Sequence, residues 1–157
     1  MTEPTLTQDQ WRFLADARRA TLATTDDRGQ PRLVPICFVL AVDPRTGVPV
    51  LHSPLDEKPK RTTDPLALAR ARDIAARPDV AILVDHWSED WTDLAWLRAH
   101  GRAVLLRPGH PAALDERTAA IAALRAKYPQ YADHDLGSRP LIRIVLTGVT
   151  AWRAREG

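Results

Sequence analysis

The chain has one cysteine, Cys37, in 157 residues, so no internal disulfide can form and packing alone must hold the fold. Its seven glycines are scattered. None of them forms a Gly-x-Gly-x-x-Gly after a predicted strand, which excludes a dinucleotide-binding doubly wound sheet. A Gly-x-Ser-x-Gly elbow, a Ser-x-x-Lys pair and a Walker loop are all missing, so hydrolytic and nucleoside-triphosphate chemistry lack their usual residues. No segment approaches the roughly 20 apolar residues of a membrane helix. Met1-Thr2-Glu3-Pro4 carries no basic stretch running into an apolar one, and a cytoplasmic protein without a membrane partner is expected. The histidines form no pair at zinc-ligand spacing, and no metal site is expected.

Lysine is also scarce. Lys58, Lys60 and Lys127 are the only lysines among 22 cationic residues, and two of the three stand together. The arginines are spread along the chain and interrupted by Asp and Glu, with no aromatic ladder beside them, so a nucleic-acid partner is not expected. What is present is an apolar share of 45% with 27% charged residues, the balance of a globular protein. At this length the chain builds one core, and a single domain spanning residues 1–157 is expected.

Thr7-Gln8-Asp9-Gln10 has the form of a capping box, and Trp11, Leu14 and Ala15 follow at helical spacing, predicting a helix over about Thr7 to Arg18. Ala20 to Thr25 reads as a strand. Asp26-Asp27-Arg28-Gly29 supplies a hairpin turn into a second strand, Pro31 to Ala41, which should pair antiparallel with the first. A further turn at Asp43 to Gly47 leads to a third strand, Val48 to Ser53, whose Pro49 suits a start near a sheet edge. Asp64 as N-cap and Pro65 at the first helical position predict a helix to Arg77. Val80 to Val84 reads as a strand buried on both faces. Leu94 to Leu106 reads as a fifth strand with a bulge at Gly101, Pro111 to Tyr128 as a helix, and Pro140 to Thr147 as the last strand. Six mainly antiparallel strands with peripheral helices specify an α+β barrel.

Two segments could carry chemistry. The stretch from His52 to Thr63 places Ser53, Lys58, Lys60, Arg61, Thr62 and Thr63 between a strand end and a helix amino terminus. Cations, hydroxyls and free N–H groups so placed are the donors that a phosphate or carboxylate needs, although a solvated loop offset by Asp56 and Glu57 would read the same. The second segment, Asp85-His86-Trp87-Ser88-Glu89-Asp90-Trp91, starts where a strand ends. Its indoles could stack on a flat ligand, seal an interface, or pack their own loop. Cys37 lies among apolar neighbours and reads as a buried structural thiol.

In order along the chain, Ala20-Thr21-Leu22-Ala23-Thr24, Gly29-Gln30-Pro31 with Val34-Pro35, Lys60-Arg61-Thr62, Asp79 to Asp85 and Gly101-Arg102-Ala103 resemble the pyridoxamine 5′-phosphate oxidase-like superfamily. The likeness spans nearly the whole chain. Within that superfamily, Lys58-Pro59-Lys60-Arg61, the strand Ile82 to His86 and Asp90-Trp91 resemble most closely the branch of F420-dependent enzymes.

This resemblance implies an FMN-binding type of split β-barrel and a homodimer with cofactor clefts between subunits. It implies a hydride-transferring oxidoreductase that binds the deazaflavin coenzyme F420 and acts on a small organic substrate. The cofactor tail would lie on Ser53, Lys58, Lys60, Arg61, Thr62 and Thr63. Its ring would lie along main-chain groups of Leu33, Val34, Pro35 and Ile36 and near Asp85 and His86, covered by Trp87 or Trp91. No side chain is an obligatory nucleophile, and His86 is the candidate proton donor. F420 carries a phosphodiester and a chain of glutamates, which suits three cations in four residues better than the single phosphate of FMN does. An FMN enzyme on the same fold and a noncatalytic F420-binding or storage protein are the alternatives. The chain ends on Ala151-Trp152-Arg153-Ala154-Arg155 and lacks the Arg- and Pro-containing carboxyl-terminal signature of true pyridoxamine phosphate oxidases, so vitamin B6 oxidation is not implied.

Overall fold

A computed structural model describes residues 4–55 and 68–156. The first helix, α1 (Gln8–Asp16), starts on the predicted capping box: Thr7 Oγ1 accepts from Gln10 N–H at 3.1 Å and Gln10 Oε1 accepts from Thr7 N–H at 3.0 Å. Leu14 anchors it in the core. The strands are β1 (Ala20–Thr25), β2 (Pro31–Ile36), β3 (Val39–Val42), β4 (Pro49–Pro54), β5 (Asp79–His86), β6 (Ala95–Leu106) and β7 (Leu141–Arg153). Two further α-helices among the described residues are α2 (Ala69–Ala76) and α3 (Leu114–Lys127). No described helix is long and apolar enough to cross a membrane.

All strand pairs are antiparallel, in the order β2-β1-β5-β6-β7-β4-β3. This order dictates the shape. β2 and β3 stand at opposite ends of the sheet, yet only Cys37 and Phe38 separate Ile36 from Val39. Three residue steps reach at most about 11 Å, so the sheet must curl until its two ends meet. Leu22, Phe38, Leu51, Ile82, Leu97, Ile142 and Ile144 pack inside the curled sheet with Leu14 of α1 and Ile74 of α2. A second cluster, with Val39, Leu124, Tyr131 and Leu141, fixes α3 against β3 and β7.

Several expectations are corrected. The sheet has seven strands because the predicted second strand is broken at Cys37-Phe38 into β2 and β3. Cys37 is half-buried in that link. β5 is not buried on both faces: Val80, Ile82 and Val84 point inward, whereas Leu83 is 40% exposed. β4 lies inside the sheet between β7 and β3, and Pro49 is tolerated there as its first residue, where no ladder bond is lost. β7 runs on to Arg153 because β6 is long enough to pair with it as far as Ala95. The expected cap at Asp64 and Pro65 lies outside the described residues. The bulge at Gly101 is present, where the β6–β7 register shifts between His100 and Gly101.

Candidate functional site

β2 and β5 both run antiparallel to β1, with Ile36 opposite Ala20 and Leu83 opposite Thr21. Their carboxyl ends therefore lie at the same end of the sheet, which gathers Leu33 to Ile36 toward Asp85 and His86. β2 is an edge strand, so its outer main-chain groups have no described strand to bond. The direct partners Pro35, Thr21, Leu83, Arg98 and Thr150 form one row across the outside of five strands. Leu33 stands on the same face and is 67% exposed. An apolar hollow of about 370 Å³ on this face is lined by Leu83, Asp85, Trp96 and Arg98.

Ser53 closes the barrel seam. Its hydroxyl is 1% exposed and donates to the Cys37 carbonyl at 2.7 Å. This bond brings the end of β4 to the end of β2. The rest of the link is held from α3: Tyr128 Oη accepts from Phe38 N–H at 3.0 Å and lies 3.1 Å from the Phe38 carbonyl. Lys127 Nζ donates to that carbonyl at 2.9 Å and sits 4.1 Å from the Phe38 ring centroid. Burial, with the Arg18 charge nearby, pushes the Lys127 ammonium down to about 8. Lys58, Lys60, Arg61, Thr62 and Thr63 lie outside the described residues, in the connection from β4 to α2.

A second concavity, a cleft of about 510 Å³, opens beneath α1. One stripe of the helix faces it, Asp9, Arg12, Phe13, Asp16 and Ala17, at the spacing of successive turns. Val84, Asp85 and His86 from β5, Asp93, Ala95 and Arg153 complete the lining. His86 Nε2 lies 3.0 Å from Asp93 Oδ2, and Arg153 packs 5.4 Å from the Phe13 ring centroid. Asp93 belongs to a short 3-10 turn, Trp91–Asp93, capped by Asp90, whose carboxyl is held below its ordinary range by the Thr92 hydroxyl and N–H. Trp87 and Trp91 are 64% and 70% exposed and do not line this cleft. A smaller groove beside it is walled by Trp96 and Trp152.

The structure thus brings β2, Ser53, Asp85 and His86 to one end of the barrel and leaves the Trp87 and Trp91 indoles open. Sequence reading missed Arg12, Asp93 and Arg153. Asp93 stands seven residues beyond His86, and only the intervening turn brings it back. Among the described residues no group of three or more His, Cys, Asp or Glu side chains could hold a metal ion.

The family model for pyridoxamine 5′-phosphate oxidase matches residues 6–153. Among similar solved structures is a conserved hypothetical protein of Mycobacterium tuberculosis, 20% identical, with a TM-score of 0.67, covering 99% of this chain and 92% of that one. A FAD-binding protein of Mesorhizobium loti is 21% identical with a TM-score of 0.62, covering 94% and 93% of the two chains. An F420 reductase is 18% identical with a TM-score of 0.56, covering 88% and 94%. At these identities the likeness shows a common fold. No curated protein sequence matches the chain.

Proposed function

Because the chain belongs to the pyridoxamine 5′-phosphate oxidase family, we propose that it is an oxidoreductase that binds coenzyme F420 and exchanges a hydride with a small organic substrate. The observation that carries this reading is the hydrogen bond from Ser53 to the Cys37 carbonyl. It places the exit of β4, from which Lys58, Lys60 and Arg61 follow in sequence, at the end of the open β2 edge. A flat ring needs an uncovered strand and apolar face, which this seam offers, and an anionic tail needs cations, which the sequence carries soon after Pro54. Thr62 and Thr63 add hydroxyl donors to the tail site. Leu33, Val34, Pro35 and Ile36 offer main-chain groups to the ring, and Asp85 and His86 border it. A bound deazaflavin supplies the hydride chemistry, and the protein binds, orients and shields it.

The reading includes a homodimer, in which Trp87 or Trp91 covers the ring from the partner subunit. Its support is the exposure of both indoles and of the apolar outer face around Leu33 and Leu83. FMN is the second candidate, favoured by the likeness to a FAD-binding protein. Titration of the purified protein with F420 and with FMN, followed by fluorescence, decides between them. F420 binding at micromolar concentration or below, with FMN weaker, is the expected result. Lys60→Ala should weaken F420 affinity by more than about 1 kcal/mol, the worth of a charged hydrogen bond. An unchanged affinity removes Lys60 from the site, and FMN preference moves the protein to flavin chemistry. Binding without turnover of reduced F420 across quinones, enones and nitroaromatics would make it a binding or storage protein.

A further inference from the structure

We propose that Lys127 is a positioning residue for the cofactor site: from the end of α3 its ammonium holds the Phe38 carbonyl and so sets where the open edge of β2 meets the exit of β4. This rests on the cofactor reading above. Cys37 and Phe38 are the whole connection between the two ends of the sheet, and they follow directly on Ile36, the last residue offered to the ring. Three of their main-chain groups are held by side chains from other elements. Ser53 donates to the Cys37 carbonyl at 2.7 Å, Phe38 N–H donates to Tyr128 Oη at 3.0 Å, and Lys127 Nζ donates to the Phe38 carbonyl at 2.9 Å. A shift of this link displaces β2 on one side and β3 on the other, so α3 reaches the ring site through the chain itself.

Lysine is a costly choice for a purely structural bond. A neutral donor satisfies a carbonyl without burying charge, and Tyr128 Oη already lies 3.1 Å from this one. Among the described residues Lys127 has no carboxylate at ion-pair distance. Its ammonium lies 4.1 Å from the Phe38 ring centroid and 5.3 Å from that of Tyr128. Of the charged and titratable groups around it, Arg18 opposes the ammonium, whereas Cys37 in the link and Asp16 at the end of α1 favour it. Burial and Arg18 prevail and bring it down to about 8. The hold on Phe38 therefore weakens as pH rises through that value, because a charged donor makes a bond about twice as strong as a neutral one.

The test uses the full chain and whichever of F420 and FMN binds tighter, titrated from pH 6 to 9. Lys127→Met keeps the apolar stem and removes the charge, and should weaken binding about fivefold at pH 7 with a near-native melt. Lys127→Arg keeps the charge throughout: it should bind like the wild type at pH 7 and about fourfold tighter than the wild type at pH 9, a ratio from which any titration of the cofactor cancels. Tyr128→Phe removes no charge at pH 7 but loosens the same link, and should weaken binding about threefold. Independently of activity, three lysines in the chain make ¹³C-lysine NMR readable. Lys127 should titrate near pH 8 in the free protein and about 0.7 pH units higher with cofactor bound, the same fivefold coupling seen from the other side. Wild-type affinity in Lys127→Met or in Tyr128→Phe, a wild-type to Lys127→Arg ratio that stays flat from pH 7 to 9, or a Lys127 midpoint unmoved by cofactor would each overturn the positioning role with the cofactor reading intact. Should Lys127→Met fail to fold, the ratio and the midpoint decide. Failure of F420 and FMN alike to bind the wild type would overturn that reading and the positioning role together.

Discussion

Gly101 is the point at which β6 tolerates no side chain. A Cβ there would lie 2.6 Å from Ile144 Cγ2 and 2.7 Å from the Val145 carbonyl oxygen. The carbonyl belongs to β7, which pairs with β6 along its length, and it cannot retreat without opening the seam. Gly101→Ala should cost about 1–3 kcal/mol, the range of core overpacking, and lower Tm by several degrees in a thermal melt. An unchanged Tm would mean that the bulge absorbs a methyl group. The glycine was legible in sequence because it interrupts a run of strand formers. The reason it must be glycine was not, because the clash comes from residues more than 40 positions away.

α3 is latched to the barrel by charge. Arg143 on β7 donates through Nε to Glu116 Oε1 at 2.5 Å and through its terminal nitrogen to Asp43 Oδ2 at 2.6 Å, and Glu116 also meets His52 Nε2 at 2.8 Å. Burial raises Glu116, but the Arg143 and His52 bonds outweigh it and hold the carboxyl below its ordinary value. The Arg45 N–H, with help from Arg143, holds Asp43 low as well. Burial pushes His52 down against the pull of Glu116. In all three the folded value lies below the unfolded one, so the unfolded chain binds protons first on acidification. Their stabilisation is complete above pH 6.5, the ordinary value of histidine, and is lost as pH falls, first through His52 and then, below about 4.5, through Glu116 and Asp43. Thermal melts should show Tm dropping from pH 7 to pH 4, and Glu116→Gln should flatten the lower part of that profile. A flat wild-type profile would show the latch to be energetically silent. Sequence announced the carboxyl end of this element and set its amino end three residues early, where Pro111–Ala113 forms a 3-10 turn, yet the partners on β4, β7 and the Asp43 turn come together only through topology. The same limit hid the break at Cys37-Phe38, where two strand-favouring residues without glycine or proline carry the chain from one end of the sheet to the other.

At the scale of the molecule, the outer face of the barrel is the feature that a lone chain does not explain. An antiparallel sheet with one face in water usually carries polar residues there. Here Leu33, Pro35, Leu83, Trp96 and Trp152 share the outside of β2, β5, β6 and β7, with Leu83 set opposite Arg98 and Trp96 opposite Trp152. Exposed apolar side chains gathered on one face, here interleaved with Thr21, Arg98 and Thr150, suit an interaction site, and a second copy of the chain covering it would also close the open β2 edge into a cleft. Leu83→Glu tests this without touching the core, because the side chain already points outward and Arg98 is there to meet the new charge. Light scattering should give the wild type twice the 17.5 kDa chain mass and the variant a single chain, with a near-native melt. On the proposed reading, in which the partner's indole covers the ring, cofactor affinity should fall together with the dimer. A wild-type protein at the mass of one chain, or a Leu83→Glu variant still at twice that mass, would leave this face to a ligand alone and place both walls of the cofactor cleft within one subunit.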